Sequence, residues 1–291
     1  MKKFLKTLGV CFMGFVILII AQFVGIGLGE LLVKFTGIPE FTGGLVASVI
    51  YPFLTYLLLK IFCKKFLSTE ISEFGIGKLK LKPVWCIIAF VLPVAVDFLL
   101  ICMGGDFHAI ENDLLYKLNI FVTGVCLYSI AGGIVEEMIF RGVIMGIIKK
   151  NYNTKSAVII PSVLFGIVHL ANGRLDFLSA VQLIIAGTAV GIMFSLIMLN
   201  DNNFWNNALV HAVWNMSTLG LFHIQAFSAE YQEISLFNFV MYSDDRLITG
   251  GEFGTEVSVI AILGYIVVSA VAFILNGKIS RNHKITDSEL S

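Results

Sequence analysis

Long apolar runs alternate with short polar stretches along most of this chain. A helix that crosses a membrane needs about 20 mainly apolar residues in succession. Eight runs meet this need, although the fifth and the seventh are shorter or more polar than the rest. The pattern therefore predicts eight transmembrane helices, at Gly9–Val33, Phe41–Phe62, Val84–Met103, Ile120–Ile148, Ala157–Ala171, Leu178–Leu199, Asn207–Phe222 and Val257–Leu275.

The composition agrees with a membrane protein. Hydrophobic residues make up 57% of the chain and charged residues 14%, whereas soluble domains contain roughly 25% charged residues. A soluble enzyme is excluded on this ground, and a net charge of zero gives no support to nucleic-acid binding. We expect an all-α, polytopic membrane helix bundle of about eight transmembrane helices, with residues 1–291 forming one integral membrane domain in a lipid bilayer.

The distribution of basic residues predicts the orientation in the membrane. If the N-terminus is cytoplasmic, most of the lysines fall in cytoplasmic segments, and the other side collects Lys34, Lys117, Arg174 and Arg246. Cytoplasmic loops are the ones enriched in Lys and Arg. An even number of spans also brings the basic C-terminal segment to the same side, so both termini are expected to be cytoplasmic.

The longest connection runs from His223 to Glu256, on the side opposite the termini. It is rich in acidic residues, which favours a plain solvated loop. A short interfacial helix around Leu236–Val240 is the alternative, because these residues are mostly apolar.

Charged residues interrupt the fourth apolar run. Glu136, Glu137 and Arg141 lie within six residues of one another in a segment that is otherwise apolar. Ionisable groups at membrane depth are costly and mark functional sites. Residues four apart share a helix face, so Glu137 can pair with Arg141, which leaves Glu136 free for chemistry.

Two further spans contain histidines. His169 lies in the fifth span, and His211 and Asn215 lie four residues apart in the seventh, on one helix face. Unpaired polar groups are costly in lipid, so these side chains should converge inside the bundle. A carboxylate and a histidine could activate a water for attack on a carbonyl, with His211 and Asn215 stabilising the oxyanion. Alternatively, Glu136, His169 and His211 could bind zinc, although the sequence contains no HExxH motif.

These residues resemble the three ordered motifs of a known family. Glu136-Glu137-x-x-x-Arg141, Phe165-x-x-x-His169 and His211-x-x-x-Asn215 are similar to those of the CPBP group, which contains the type II CAAX prenyl endopeptidases and the bacterial Abi proteins. The resemblance covers roughly residues 130–220, the core that carries the motifs.

The resemblance implies an intramembrane glutamic endopeptidase. Glu136 would be the general base, His169 would hold the same water, and His211 with Asn215 would form the oxyanion site. Glu137, Arg141 and Phe165 would support them. No cofactor is expected, and zinc is the alternative.

The substrate implied by the resemblance is a membrane-associated peptide or protein, and the expected location is a bacterial cell membrane. Two other functions stay open at this point. One is a non-catalytic immunity or scaffold protein of the same fold, because some members of the group act by binding a partner. The other is a proton-coupled transporter, because chains of acids and histidines also form proton relays.

Overall fold

The structure is a computed structural model that describes residues 2–172, 175–227 and 233–289. Helices dominate it, and a small sheet lies at one end. We number the helices α1 (Lys2–Thr36), α2 (Glu40–Phe62), α3 (Pro83–Ile101), α4 (Leu114–Asn151), α5 (Thr154–Val168), α6 (Phe177–Asp201), α7 (Phe204–Met216), α8 (Arg246–Thr249) and α9 (Val259–Glu289), and the strands β1 (Gly105–Ala109), β2 (Gly220–Gln225) and β3 (Ser235–Met241).

Seven of the helices in the described ranges are long and apolar enough to cross a membrane: α1 to α6 and α9. Many large apolar side chains point outward from them, such as Phe23 (76% exposed) and Phe98 (63% exposed). An apolar exterior suits contact with lipid, so the prediction of an all-α, multi-pass membrane bundle is confirmed. Helices α4 and α6 occupy the centre, with 50% and 61% of their most apolar windows buried, against 22–33% in the other five.

The seventh predicted span, Asn207–Phe222, was wrong in its bounds. Helix α7 begins at Phe204 and has 13 residues. It ends at Met216, and after a turn Gly220 takes a positive φ of 81° and begins β2. Hydropathy alone could not separate the helix from the strand, because apolar residues continue across the break.

The prediction of a plain solvated loop between His223 and Glu256 was also wrong, and so was its helical alternative. Leu236–Val240 belongs to β3, the central strand of a three-stranded sheet in the order β1-β3-β2. Strand β1 pairs antiparallel with β3, with Phe107 opposite Phe239, and β2 pairs parallel with it, with Phe222 opposite Phe237.

Successive long helices run in opposite directions, so the bundle has two distinct ends. The sheet caps the end that contains the start of α6, where Asp176 pairs with Arg246 at 2.7 Å. At the opposite end, Lys82 at the start of α3 pairs with Asp201 at the end of α6, at 3.4 Å. The start of α1 lies beside the end of α4, where Asn151 Nδ2 donates to the hydroxyl of Thr7 at 3.0 Å, and the even number of passes stays a prediction. Which side of the membrane each end faces stays a prediction, and Arg174, one of the residues used for it, lies outside the described residues.

Glycines permit close helix contacts around the centre. A Cβ atom on Gly191 of α6 would lie 2.7 Å from the Cα of Ser162 on α5, and one on Gly187 would lie 2.5 Å from the Cα of Gly166. Close approach of two backbones needs such small residues. The tight α5–α6 packing fixes the position of the end of α5, where His169 lies.

Candidate active site

Helix α4 carries the charged cluster between two wide turns. The segments Val122–Ala131 and Met138–Ile144 are π-helical, and they flank the α-helical turns of Gly132–Glu137. Such wide turns inside a helix are often found at functional sites. They also change which side chains share a face, so the direction of Glu136 could not be derived from regular 3.6-residue spacing.

Glu137 and Arg141 form the predicted ion pair in the centre of the bundle. Arg141 Nη1 donates to Glu137 Oε1 at 3.0 Å, and both side chains are fully buried. Removing either partner would leave an unpaired buried charge, which is far more costly than the loss of a surface pair.

Helix α7 supplies two more donors to Glu137. His211 Nδ1 lies 2.9 Å from Glu137 Oε1, and because a carboxylate only accepts hydrogen bonds, Nδ1 carries the proton. Asn207 Nδ2 donates to Glu137 Oε2 at 3.3 Å and to the carbonyl of Phe194 at 2.8 Å. Glu137 therefore holds three side chains in place, and its full burial keeps it out of the cavity lining.

Aromatic rings surround the guanidinium of Arg141. Its Cζ lies 4.5 Å from the ring centre of Phe165, 5.0 Å from that of Phe194 and 5.6 Å from that of Phe140. Nε and Nη2 have no hydrogen-bond partner among the described residues. The ring faces stabilise the cation by cation–π attraction instead, which accounts for the aromatic residues around the motif.

The carboxylate of Glu136 has different surroundings from that of Glu137. Its Oε2 accepts no hydrogen bond within the described residues, and it lies 3.9 Å from His211 Nε2, too far for a direct bond. The side chain is 25% exposed. The two nitrogens of His211 thus face the two glutamates: Nδ1 faces Glu137, and Nε2 faces Glu136.

Gly133 allows His211 to lie between the two glutamates, because it is one turn before Glu136 on the face of α4 that meets α7. A Cβ atom at Gly133 would lie 3.2 Å from the backbone nitrogen of Ala212, the residue after His211. The absence of a side chain there lets α7 approach α4 closely enough for His211 to reach both carboxylates.

His169 follows the last turn of α5. Its Nδ1 lies 2.7 Å from the carbonyl oxygen of Phe165, and a carbonyl only accepts, so Nδ1 carries a proton and Nε2 of the neutral ring is an acceptor. The Phe165 ring packs against the His169 ring at 4.4 Å and lies 6.0 Å from the His211 ring. Phe165 therefore sets the spacing between the two histidines.

A cavity of about 720 Å³ brings the predicted residues together. Glu136, Phe165, His169, His211 and Asn215 all line it, and it extends to the sheet end of the bundle. Its other walls are largely apolar. A cavity of this size with a few polar groups is typical of a small-molecule or peptide site. Glu137 and Arg141 lie behind this wall rather than in it.

Asn207 and Phe194 are site residues that sequence reasoning missed. Asn207 lies four residues before His211, the spacing that singled out Asn215, so the signal was present but was not used. Phe194 stacks on the His211 ring at 4.8 Å and 24°. Nothing in the sequence distinguishes it from the other apolar residues of α6.

The zinc alternative required Glu136, His169 and His211 to act as three ligands. Within the described ranges, no group of three or more His, Cys, Asp or Glu side chains is placed to hold a metal ion.

The fold and the site define a class of protein: a multi-pass membrane bundle with a buried, charge-compensated cluster that opens into a cavity. The family model described as type II CAAX prenyl endopeptidase Rce1-like matches residues 118–217. The matched region contains every motif residue from Glu136 to Asn215, so the resemblance inferred from the motifs is confirmed: this region is similar to the CAAX protease family.

Similarity of this region to the CAAX protease family supports, at a general level, the activity of an intramembrane endopeptidase. It is also in keeping with a membrane-associated substrate for an integral, multi-pass membrane protein. No curated protein and no solved structure matched the chain.

Proposed function

We propose that this protein hydrolyses a peptide bond of a membrane-associated peptide or protein with a water activated by Glu136 and His169. The observation that carries the proposal is the contrast between the adjacent glutamates. Glu137 is fully buried and accepts from three donors, whereas the Glu136 side chain lines the cavity, is 25% exposed, and has a buried Oε2 that accepts no hydrogen bond among the described residues.

Glu136 takes the proton in the first step. A water beside Glu136 and the acceptor Nε2 of His169 attacks the carbonyl carbon of the substrate as its proton passes to Glu136. A general base in this position typically contributes 10²–10⁴-fold to the rate. His169 accepts the second hydrogen of the water and so fixes its direction of attack.

His211 and Asn215 stabilise the negative charge that forms on the carbonyl oxygen. With Nδ1 held by Glu137, His211 offers Nε2 as a donor when it carries both protons, and Asn215 offers its amide N–H. Before the attack, Glu136 and Glu137 compensate Arg141 and the charged His211. Once Glu136 has taken the proton, the oxyanion carries the negative charge that Glu136 has lost, so the charges still balance. Fixed donors in a site of low dielectric constant act strongly on an oxyanion.

The tetrahedral intermediate breaks at its C–N bond. The proton held by Glu136 moves to the leaving nitrogen, which departs as an amine, and Glu136 returns to its carboxylate form. Glu137, Arg141 and Phe165 touch no reacting atom in this scheme. They position His211 and His169.

A pair of histidine variants tests the proposal. The purified full-length protein is mixed in detergent with peptides extracted from membranes, and new peptide ends are identified by mass spectrometry. We expect His169→Ala to abolish the new ends. His108→Ala, on the exposed strand β1 and away from the cavity lining, should leave them unchanged. New ends at equal rates in both variants would contradict the role of His169.

Activation of water without a metal ion is part of the proposal. We expect the purified protein to contain well under one equivalent of zinc by elemental mass spectrometry, and treatment with a chelator to leave its thermal unfolding temperature and its cleavage of peptides unchanged. Stoichiometric zinc that is lost in a Glu136→Gln variant would replace this mechanism with a metal-dependent one.

A further inference from the structure

The cavity has polar side chains on the side formed by α1 and α2. Gln22 of α1 and Tyr51 of α2 line it together with Glu136. Tyr51 is only 5% exposed, and neither the Gln22 nor the Tyr51 side chain forms a hydrogen bond within the described ranges. Polar side chains at membrane depth are costly unless they have a partner. The proposed mechanism uses neither side chain, so both can bind a molecule in the cavity.

The packing of α1 against α4 places Gln22 at the level of Glu136. The two helices run in opposite directions, because the start of α1 lies beside the end of α4. Phe15 of α1 packs on Phe140 of α4, with ring centres 5.6 Å apart. Gln22 lies about two turns further along α1 than Phe15. Two turns from Phe140 in the opposite sense along α4 lead to Gly133, so Gln22 lies beside the turn that ends at Glu136.

Tyr51 reaches the same level from α2. A Cβ atom on Gly25 of α1 would lie 3.3 Å from the Cβ of Tyr51. The absence of a side chain at Gly25 therefore lets Tyr51 pack against α1 about one turn from Gln22. The carboxylate of Glu136 is close enough to the Tyr51 hydroxyl for the two groups to interact electrostatically. Gln22, Tyr51 and Glu136 thus come together from three different helices.

Gly132 keeps the cavity open beside these side chains. It lines the cavity one turn before Glu136, and a Cβ atom there would meet only the carbonyl oxygen of Leu127, at 3.7 Å. A larger side chain at this position would therefore project into the cavity. Glu136 is bordered by His211 of α7, whose Nε2 lies 3.9 Å from Glu136 Oε2, and by Tyr51 of α2. A peptide that contacts Glu136 can therefore contact Tyr51 as well.

We infer that Gln22 and Tyr51 form a subsite that binds the main chain of the substrate beside the cleaved bond. This inference rests on the proposed function and adds how the substrate is held. A primary amide both donates and accepts, so Gln22 can bond the N–H and the C=O of one peptide unit, and the hydroxyl of Tyr51 can donate to a neighbouring backbone carbonyl. Such contacts hold an extended peptide without selecting its side chains.

Ester substitution in the peptide backbone tests the subsite. Short synthetic peptides with a palmitoyl anchor are bound to His169→Ala protein, and in a second set one backbone N–H at a time is replaced by an ester oxygen. Dissociation constants are measured by fluorescence anisotropy. We expect one ester position to weaken binding about tenfold, the scale of one buried hydrogen bond. Adding Gln22→Leu should weaken binding of the unsubstituted peptide about as much and abolish the further effect of that ester.

A pair of tyrosine variants supplies the matched comparison. Tyr51→Phe should weaken binding of every peptide about tenfold, whereas Tyr56→Phe, the same change on a residue of α2 outside the cavity lining, should not. Thermal unfolding in detergent checks that both variants stay folded. Equal dissociation constants for Tyr51→Phe and Tyr56→Phe would overturn the inference.

Comparison of binding with cleavage separates this inference from the proposed function. If the ester effect is lost in Gln22→Leu but the wild type never cleaves the peptides, only the endopeptidase function is refuted. If Gln22→Leu keeps the full ester effect, the subsite is refuted, whatever the wild type cleaves.

Discussion

Replacing Glu136 with glutamine is expected to lower kcat for peptide cleavage by about 10²–10⁴-fold, the usual contribution of a general base. The amide has the shape of the carboxylate but cannot accept a proton from water. Because Glu136 accepts no hydrogen bond on Oε2 within the described residues and is 25% exposed, the substitution should leave the fold intact. Initial rates at saturating substrate, together with thermal unfolding in detergent, measure both effects.

Glu111→Gln is the matched control, because it makes the same chemical change on an exposed residue outside the cavity lining. It should keep both the rate and the unfolding temperature of the wild type. If Glu136→Gln retained more than half of the wild-type kcat while folded, another residue would have to be the base. A loss of activity that comes with a lower unfolding temperature would indicate a structural role instead.

Replacing Arg141 with methionine is expected to reduce the free energy of unfolding by about 3–5 kcal/mol, the usual cost of breaking a buried ion pair from one side. Glu137 would keep its charge at 0% exposure, and the three rings around Arg141 would lose their cation. The measurement is thermal or denaturant unfolding of the purified protein in detergent, with the amount of protein in membranes as a second readout.

A double variant keeps this prediction testable if Arg141→Met does not accumulate. Glu137→Gln together with Arg141→Met removes both charges and leaves an amide oxygen to accept from His211, so it should recover a large part of the lost stability. Arg246→Met, which breaks the pair with Asp176 whose side chains are 37% and 45% exposed, should cost less than about 1 kcal/mol. Similar losses in Arg141→Met and Arg246→Met would argue against the central importance of the buried pair.

The centre of the site could be predicted from the sequence because local rules govern it. Spacing of four residues predicted the ion pair of Glu137 with Arg141, and the cost of polar groups in lipid predicted that His169 and His211 would meet near Glu136. The ion pair agrees with the geometry, His211 lies 3.9 Å from Glu136, and His169 lines the same cavity. The catalytic roles assigned to these residues stay proposals until the variants are measured.

The sheet end could not be predicted because its contacts are non-local. Strand β1 belongs to the connection between α3 and α4, and its partner β3 lies more than 120 residues later. No periodicity within either segment marks such a pairing. The same limit applies to Phe194, whose contact with His211 depends on how α6 packs against α7.

The short length of α7 bears on how water, the second reactant of the proposed hydrolysis, reaches the site. Thirteen residues span only about 20 Å of a hydrocarbon layer that is roughly 30 Å thick. The chain then continues as β2, whose backbone groups pair with β3 instead of meeting lipid. The proposed hydrolysis would consume water, which the bilayer excludes, and a short helix beside His211 would let water reach the cavity from the sheet end.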